Sequence, residues 1–209
     1  MKIKFALLFT TASIILSSAQ TQAQSLIDGS ADAGKASAIT CNACHGAEGN
    51  SANPTWPSIA GQNAPYLLAQ LKAFKDGTRS DPLMSSQAML LSDEDMANLA
   101  VYFESLPSAA QAIADVSLLD RGESLYRGGN LEEKISACLA CHGPTGLGNP
   151  AARYPALRGQ HATYTAKQLN DYKNAARTSD GKNRIMQDIA ARLSKDDIAA
   201  LSSYVQGLK

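Results

Sequence analysis

All four cysteines of this 209-residue chain fall in two copies of one pattern: two cysteines separated by two residues, with a histidine directly after the second. The copies are Cys41-Asn-Ala-Cys44-His45 and Cys138-Leu-Ala-Cys141-His142. Two thiols at this spacing can add to the two vinyl groups of a haem, while the adjacent imidazole coordinates the iron. The pattern therefore predicts two covalently bound haem c groups. Their thioether residues would be Cys41, Cys44, Cys138 and Cys141, and their proximal iron ligands would be His45 and His142.

A cysteine pair with this spacing also fits a redox disulfide or half of a zinc site. The chain has no further cysteine that could complete a four-thiolate zinc site. Both pairs are followed by histidine, which neither thioredoxin-like chemistry nor a four-thiolate site requires. The complete pattern therefore favours haem over zinc and over a redox disulfide.

The first 23 residues are typical of an export signal. Lys2 and Lys4 precede an apolar run over residues 5–16, and Thr21-Gln-Ala23 is a suitable small-residue cleavage site. The run is too short to span a bilayer comfortably. We therefore predict a signal peptide over residues 1–23 and an exported protein. Cleavage after Ala19 and an uncleaved N-terminal anchor are the alternatives.

Charge and composition restrict the class of partner. The chain has 19 basic and 19 acidic residues, and the leader removes two lysines and no acid, so the mature chain is slightly acidic. Haem propionates would add negative charge, and a nucleic-acid partner therefore has no electrostatic support. Aromatic residues make up only 6% of the chain, and an apolar porphyrin in each core would offset that shortage.

The two halves of the chain are copies of one unit. When His45 is placed on His142, Pro57-Ser-Ile-Ala-Gly-Gln62 comes close to Pro155-Ala-Leu-Arg-Gly-Gln160. The match then continues through pairs of tyrosine, glutamine and arginine residues: Tyr66 with Tyr164, Gln70 with Gln168, and Arg79 with Arg177. A small-residue stretch over residues 107–115 is expected to be the connector. We predict a first unit over residues 24–113 and a second over residues 114–209.

Helical periodicity dominates both units. Residues 31–39 should form a helix that leads into the first haem motif, and Pro65 suits the first turn of another. Each last helix should begin at a serine with an aspartate three residues later, the pattern of a capping box: Ser92 with Asp95, and Ser194 with Asp197. No segment shows sustained alternation, so each unit should be all-α.

The sixth iron ligand distinguishes a closed electron carrier from an iron that is open to substrate. Methionine favours reduced iron and closes the site. Met186 is the only methionine of the second unit, and it lies seven residues before Leu193. Met84 lies seven residues before Leu91 in the first unit. We predict Met84 and Met186 as the sixth ligands, in loop-like segments before the last helices.

Three other residues are candidates for the sixth iron ligand. Met96 aligns with Ile198 and should lie in the core. Met89 is the reserve ligand for the first haem. His161 aligns with Asn63 and is interpreted as structural or exposed; the alternative is a bis-histidine haem in which it displaces Met186.

With these motifs, each half resembles a class I cytochrome c, and the mature chain as a whole resembles the two-haem cytochrome c4 family. The resemblance rests on the paired Cys-x-x-Cys-His-Gly motifs, the Pro-x-x-x-Gly-Gln segments, the Tyr126-Arg-Gly-Gly-Asn130 segment, and the two methionines before the last helices. It implies tandem cytochrome c domains related by a pseudo-twofold axis, in a monomeric periplasmic electron carrier.

The resemblance also implies roles and partners. Pro57 and Pro155 would supply backbone carbonyls that orient His45 and His142 and tune their donation to iron. Residues that could pack on haem or meet propionates are Trp56, Tyr66, Tyr164, Arg79 and Arg177. The implied partners are redox proteins bound transiently, a cytochrome bc complex as donor and a haem-copper terminal oxidase as acceptor, with loose membrane association in some members.

The alternatives come from other functional classes. One is the two-haem electron-accepting subunit of a flavocytochrome c sulfide dehydrogenase; the chain has no glycine fingerprint for a nucleotide, so the flavin would lie on a separate chain. The other is an enzyme such as a two-haem peroxidase or thiosulfate dehydrogenase, which needs an accessible or specially ligated iron. Two equivalent methionines and the lack of a spare thiol argue against it.

Overall fold

The computed structural model describes residues 25–179 and 183–209. The predicted signal peptide, and residues 180–182 of a polar loop in the second unit, lie outside the described residues. Within these ranges the chain is helical, and the only strand-like pairings are two isolated bridges, Asn130 with Ile135 and Asn149 with Tyr154. The prediction of an all-α fold is confirmed. No helix in the described part of the chain is long and apolar enough to cross a membrane.

In the described part of the chain, each unit has five α-helices in the same order. The first contains α1 (Ala31–Ser37), α2 (Ile39–His45), α3 (Ala64–Asp76), α4 (Pro82–Met89) and α5 (Asp93–Ser105). The second contains α6 (Leu119–Gly128), α7 (Leu139–His142), α8 (Ala162–Lys173), α9 (Ile185–Ala190) and α10 (Lys195–Gly207), preceded by a short 3₁₀ turn at Val116–Leu118. The helix contacts repeat as well, because α1 and α3 pack on α5 while α6 and α8 pack on α10.

The last helix of each unit forms the centre of its core. In α5, Leu99, Tyr102 and Phe103 are buried against Ala38. The second core is larger: α10 contributes four of its nine buried residues, and Tyr126 of α6 is fully buried in it. In both last helices the buried apolar residues recur at helical spacing, so they form one face of each helix.

The helix predicted over residues 31–39 is interrupted. α1 ends at Ser37, and Ala38, which is fully buried, separates it from α2, the helix that carries the first haem motif. Periodicity did not reveal the break, because Ala38 and its neighbours all have ordinary helical side chains.

Both predicted capping boxes are present. Ser92 accepts from the backbone N–H of Asp95 and Ser194 accepts from that of Asp197, and each aspartate accepts in return from the serine N–H. The two boxes differ in burial: Asp95 is only partly buried, whereas Asp197 is buried and also accepts two hydrogen bonds from Arg121, at 3.0 and 2.7 Å.

We expect Asp197→Asn to destabilise the protein by about 2 kcal/mol and Asp95→Asn to destabilise it less, since only the first change also weakens the two hydrogen bonds from Arg121. Burial alone would raise the pKa of Asp197, but hydrogen bonds from Ser194 and Arg121 outweigh it and hold that pKa below its ordinary value. The stabilisation is therefore present at neutral pH and lost as the pH falls below about 4. Denaturant unfolding of the unmodified protein and of both variants gives the free energy of unfolding at pH 7 and at pH 3. Equal costs at pH 7 would contradict the role of Arg121.

Candidate haem sites

Short helices bring the thiols and the imidazole of each motif together. Cys41 and Cys44 lie one turn apart in α2, with His45 at its end. α7 repeats the arrangement. The glycine after each histidine has a positive φ, +85° at Gly46 and +78° at Gly143, and a Cβ at Gly46 would lie 2.1 Å from the carbonyl oxygen of Asn50. Glycine is therefore needed where the chain turns away from the first histidine.

The structure brings each motif histidine together with one of the two singled-out prolines. His45 Nδ1 lies 2.8 Å from the carbonyl oxygen of Pro57, and His142 Nδ1 lies 2.9 Å from that of Pro155. A carbonyl oxygen only accepts, so Nδ1 carries the proton in both rings. The lone pair of Nε2 is then available to a metal.

Burial sets the protonation state of both motifs. It lowers the pKa of His45 and His142 and outweighs the opposite effect of the proline carbonyls, so both imidazoles are neutral at pH 7. Burial also raises the pKa of the Cys41 thiol, and raises that of Cys138 to about 11.

This donor set fits a covalently attached haem. All four cysteines are free thiols. In the described ranges, no cluster of three or more histidine, cysteine or acidic side chains could enclose a metal ion, which disfavours zinc. Two unpaired thiols beside a neutral imidazole with a free Nε2 are the groups that thioether attachment and axial ligation require.

The methionines predicted as sixth ligands lie on helices and not in loops, which corrects the expected loop-like context. Met84 is in the first turn of α4, where the Asp81 side chain accepts from its backbone N–H at 3.1 Å. Met186 is in the first turn of α9. Both side chains are partly buried, whereas Met89 is 68% exposed at the end of α4 and Met96 is fully buried in the core. Burial therefore favours Met84 over the reserve ligand Met89.

Buried arginines join the two units. Arg79 donates to the hydroxyl of Tyr164 at 3.0 Å and to Oε1 of Gln168 at 2.8 Å, both across the interface. The second unit returns the same contacts, with Arg177 donating to Tyr66 at 2.9 Å and to Gln70 at 2.8 Å. Sequence reasoning named the arginines and tyrosines as haem or propionate contacts and missed that they bind each other. The one feature of the sequence that could have indicated these contacts is that Gln70 and Gln168 occupy matching positions in the repeat.

The arginine network contains two buried positive charges. Arg79 is 8% exposed and Arg177 is 4% exposed, and their guanidinium groups lie over the rings of Phe74 and Tyr172, at 4.5 and 4.6 Å. Neither has a carboxylate ion-pair partner among residues 25–179 and 183–209. A buried charge of this kind requires a negative partner to offset its desolvation. The network therefore could accept the propionates of bound haem.

The remaining candidate residues lie near the interface. His161 is buried, and its Nε2 donates to the carbonyl oxygen of Ser51 in the other unit at 2.8 Å, so it is structural. Its counterpart Asn63 also crosses to the other unit, where its Nδ2 donates to the carbonyl oxygen of Tyr154, at 2.8 Å. Trp56 is partly buried in the turn before Pro57.

Comparison with known proteins agrees with this geometry. The cytochrome c family model matches twice, over residues 31–107 and 120–209. Cytochrome c4 from Pseudomonas aeruginosa is 51% identical over 180 residues, which cover 86% of this chain and 89% of that protein. The crystal structure of reduced recombinant cytochrome c4 from Pseudomonas stutzeri superimposes with a TM-score of 0.85 at 45% identity, covering 87% of this chain and all of that one.

A relative with a different name is also similar. The thiosulfate dehydrogenase electron acceptor from Stutzerimonas stutzeri is 37% identical over 175 residues, which cover 80% of this chain and 78% of that protein. The name of this relative describes it as the electron acceptor of a thiosulfate dehydrogenase.

Proposed function

Because the chain belongs to the cytochrome c4 family, with two tandem cytochrome c domains and an electron-carrier function, we propose that it holds two haem c groups and shuttles electrons between periplasmic or membrane-bound redox proteins. The observation that carries the proposal is the duplicated site. In each unit a buried, neutral histidine donates Nδ1–H to a proline carbonyl, which leaves the Nε2 lone pair available, and it directly follows a pair of free cysteines in the chain.

The proposed ligands close both irons. Cys41, Cys44, Cys138 and Cys141 would hold the two haems, and the axial pairs would be His45 with Met84 and His142 with Met186. Each haem supplies a one-electron Fe(II)/Fe(III) couple when bound. The protein would orient each proximal histidine through the proline carbonyl that accepts from its Nδ1.

The proposed location and partners follow from the leader and from family membership. The basic start and apolar run of residues 1–23 support export to the periplasm. We propose a cytochrome bc complex as donor and a terminal oxidase as acceptor. Contacts should be small and transient, as is general for electron-transfer pairs.

A second candidate function is that of electron acceptor for a thiosulfate dehydrogenase. The similarity to the Stutzerimonas stutzeri protein of that name supports it. In both cases the chain is a carrier, and the two candidates differ only in the donor.

The first test is spectroscopic. Purified exported protein should show a mass increase of two haems, the weak near-infrared sulfur-to-iron band of methionine ligation in the oxidised state, and no binding of carbon monoxide in the reduced state. Uptake of carbon monoxide by one haem in the unmodified protein would contradict the closed-carrier proposal. The donors are then compared by stopped-flow reduction, with a cytochrome bc complex plus quinol against a thiosulfate dehydrogenase plus thiosulfate.

A further inference from the structure

The glutamine that ends each Pro-x-x-x-Gly-Gln segment crosses to the other unit. Gln160 Oε1 accepts from the backbone N–H of Ser58 at 3.0 Å, and Gln160 Nε2 donates to the carbonyl oxygen of Ser58 at 2.8 Å. In the opposite direction, Gln62 accepts from the N–H of Ala156 at 2.7 Å and donates to its carbonyl oxygen at 2.9 Å. Each side-chain amide therefore bonds to both the N–H and the carbonyl oxygen of one backbone residue, as a residue of a neighbouring β-strand does.

These contacts fix the orientation of both side-chain amides. A backbone N–H only donates, so the atom facing Ser58 N or Ala156 N must be the amide oxygen. Each oxygen also accepts from the backbone N–H of the residue that follows its own glutamine, His161 at 3.1 Å and Asn63 at 3.0 Å. Each amide therefore makes three hydrogen bonds and cannot rotate without losing them.

Ser58 and Ala156, which these glutamines contact, directly follow Pro57 and Pro155 in the chain. The N–H of Ser58 and the carbonyl of Pro57 belong to the same peptide group, and so do the N–H of Ala156 and the carbonyl of Pro155. The Pro57 carbonyl accepts from His45 Nδ1 at 2.8 Å. A continuous hydrogen-bonded path therefore runs from His45, through the peptide group of Pro57, to Gln160 of the second unit.

Hydrogen bonds that share a peptide group polarise one another. When Gln160 accepts from the peptide N–H, electron density shifts toward the Pro57 oxygen, which becomes a stronger acceptor for His45. A stronger bond at Nδ1 makes the imidazole a better donor at Nε2, and a better donor stabilises ferric over ferrous iron. The glutamine therefore lowers the reduction potential of the haem that His45 ligates.

We propose that Gln160 and Gln62 are positioning residues that tune the haem potentials in a crossed manner: Gln160 of the second unit acts on the haem of His45, and Gln62 of the first unit acts on the haem of His142. The inference rests on the two-haem carrier proposed above. It gives the pseudo-twofold interface a chemical role, since docking of the units sets the electron donation of both proximal ligands.

The test is a pair of substitutions in the full two-haem protein. Gln160→Leu should raise the potential of the His45 haem and leave that of the His142 haem unchanged, and Gln62→Leu should do the reverse. The expected change is about threefold in the redox equilibrium constant, or about 28 mV at 59 mV per tenfold change. Haem-methyl NMR resonances, assigned to each unit and followed through a redox titration, give the two potentials separately.

The matched control is Gln111→Leu. Gln111 Nε2 donates to the carbonyl oxygen of Gly159 at 2.5 Å, so the change removes a glutamine contact to the same loop without touching a proximal peptide. Both potentials should stay at their original values. A second readout is amide exchange in the reduced protein: Gln160→Leu should speed exchange at Ser58, and Gln62→Leu should speed it at Ala156.

Three results would overturn the proposal: no potential moves in either glutamine variant, both potentials move together, or each substitution moves the haem of its own unit. Movement of both together would mean that the substitutions loosen the whole interface. Loss of a haem from the unmodified protein would instead contradict the proposed function. The potentials are compared only in variants whose mass shows two haems, so the two failures are distinguishable.

Discussion

Replacing Met84 with alanine should lower the potential of one haem by on the order of 0.1 V, within the range of about 0.8 V that axial ligands set, and should open its iron to carbon monoxide. The thioether stabilises ferrous iron because it is a soft, neutral donor. Water, which replaces it, does not favour the reduced state in this way. The other haem should keep its potential and its near-infrared band. A redox titration and a carbon monoxide difference spectrum measure both effects.

The control is Met89→Ala in the same helix. Met89 is 68% exposed and Met84 is partly buried, so removal of Met89 should leave both haems closed. Met186→Ala should reproduce the effect of Met84→Ala on the second haem alone. If Met89→Ala opens an iron and Met84→Ala does not, the reserve ligand is the correct one. If the redox titrations of all three variants match that of the unmodified protein, the prediction that methionine ligates either iron is wrong.

Features with a local cause could be predicted from the sequence. Both capping boxes follow from a serine and an aspartate three residues apart, and the structure has them at Ser92 and Ser194. The apolar stripes of α5 and α10 follow from helical spacing in the same way. The proline contacts with the histidines came from the family resemblance and not from periodicity.

Features that depend on distant parts of the chain could not be predicted in this way. The contacts of Arg79 with Tyr164 and of Arg177 with Tyr66 join residues 85 and 111 positions apart. No helical or strand period links such pairs, and only the packing of the two units brings them together. The repeat showed that these residues correspond to each other, but it did not show that they touch.

Short helices were the other failure. The sequence pattern predicts loop-like segments at Met84 and Met186, because α4 and α9 are only eight and six residues long. Isolated helices of this length are marginal in water, and their sequences therefore carry little helical pattern. α4 packs on α3 and α9 packs on α8, so tertiary contacts stabilise them.

The helix crossings provide a test of the fold itself, with the largest expected effect on stability. Gly122 is buried where α6 crosses α10, and a Cβ there would lie 2.5 Å from the carbonyl oxygen of Ala200 and 2.7 Å from Cβ of Tyr204. Gly34 occupies the same place between α1 and α5, with the Asn98 carbonyl oxygen at 2.1 Å. Main-chain atoms cannot rotate away as a side chain can. Gly122→Ala should therefore destabilise the second unit by about 3 kcal/mol or more.

Gly128→Ala, in the same helix, is the matched control. An added Cβ at Gly128 would meet nothing within 4 Å, and the residue does not have a positive φ. Alanine should stabilise the protein there by about 0.5 to 1 kcal/mol, because it restricts the unfolded chain more than glycine does. Unfolding is followed by loss of the methionine band of each haem. Gly122→Ala should move only the transition of the second haem, and Gly34→Ala only that of the first. A similar small gain at Gly122 and Gly128 would mean that α6 does not approach α10 as closely as the structure shows.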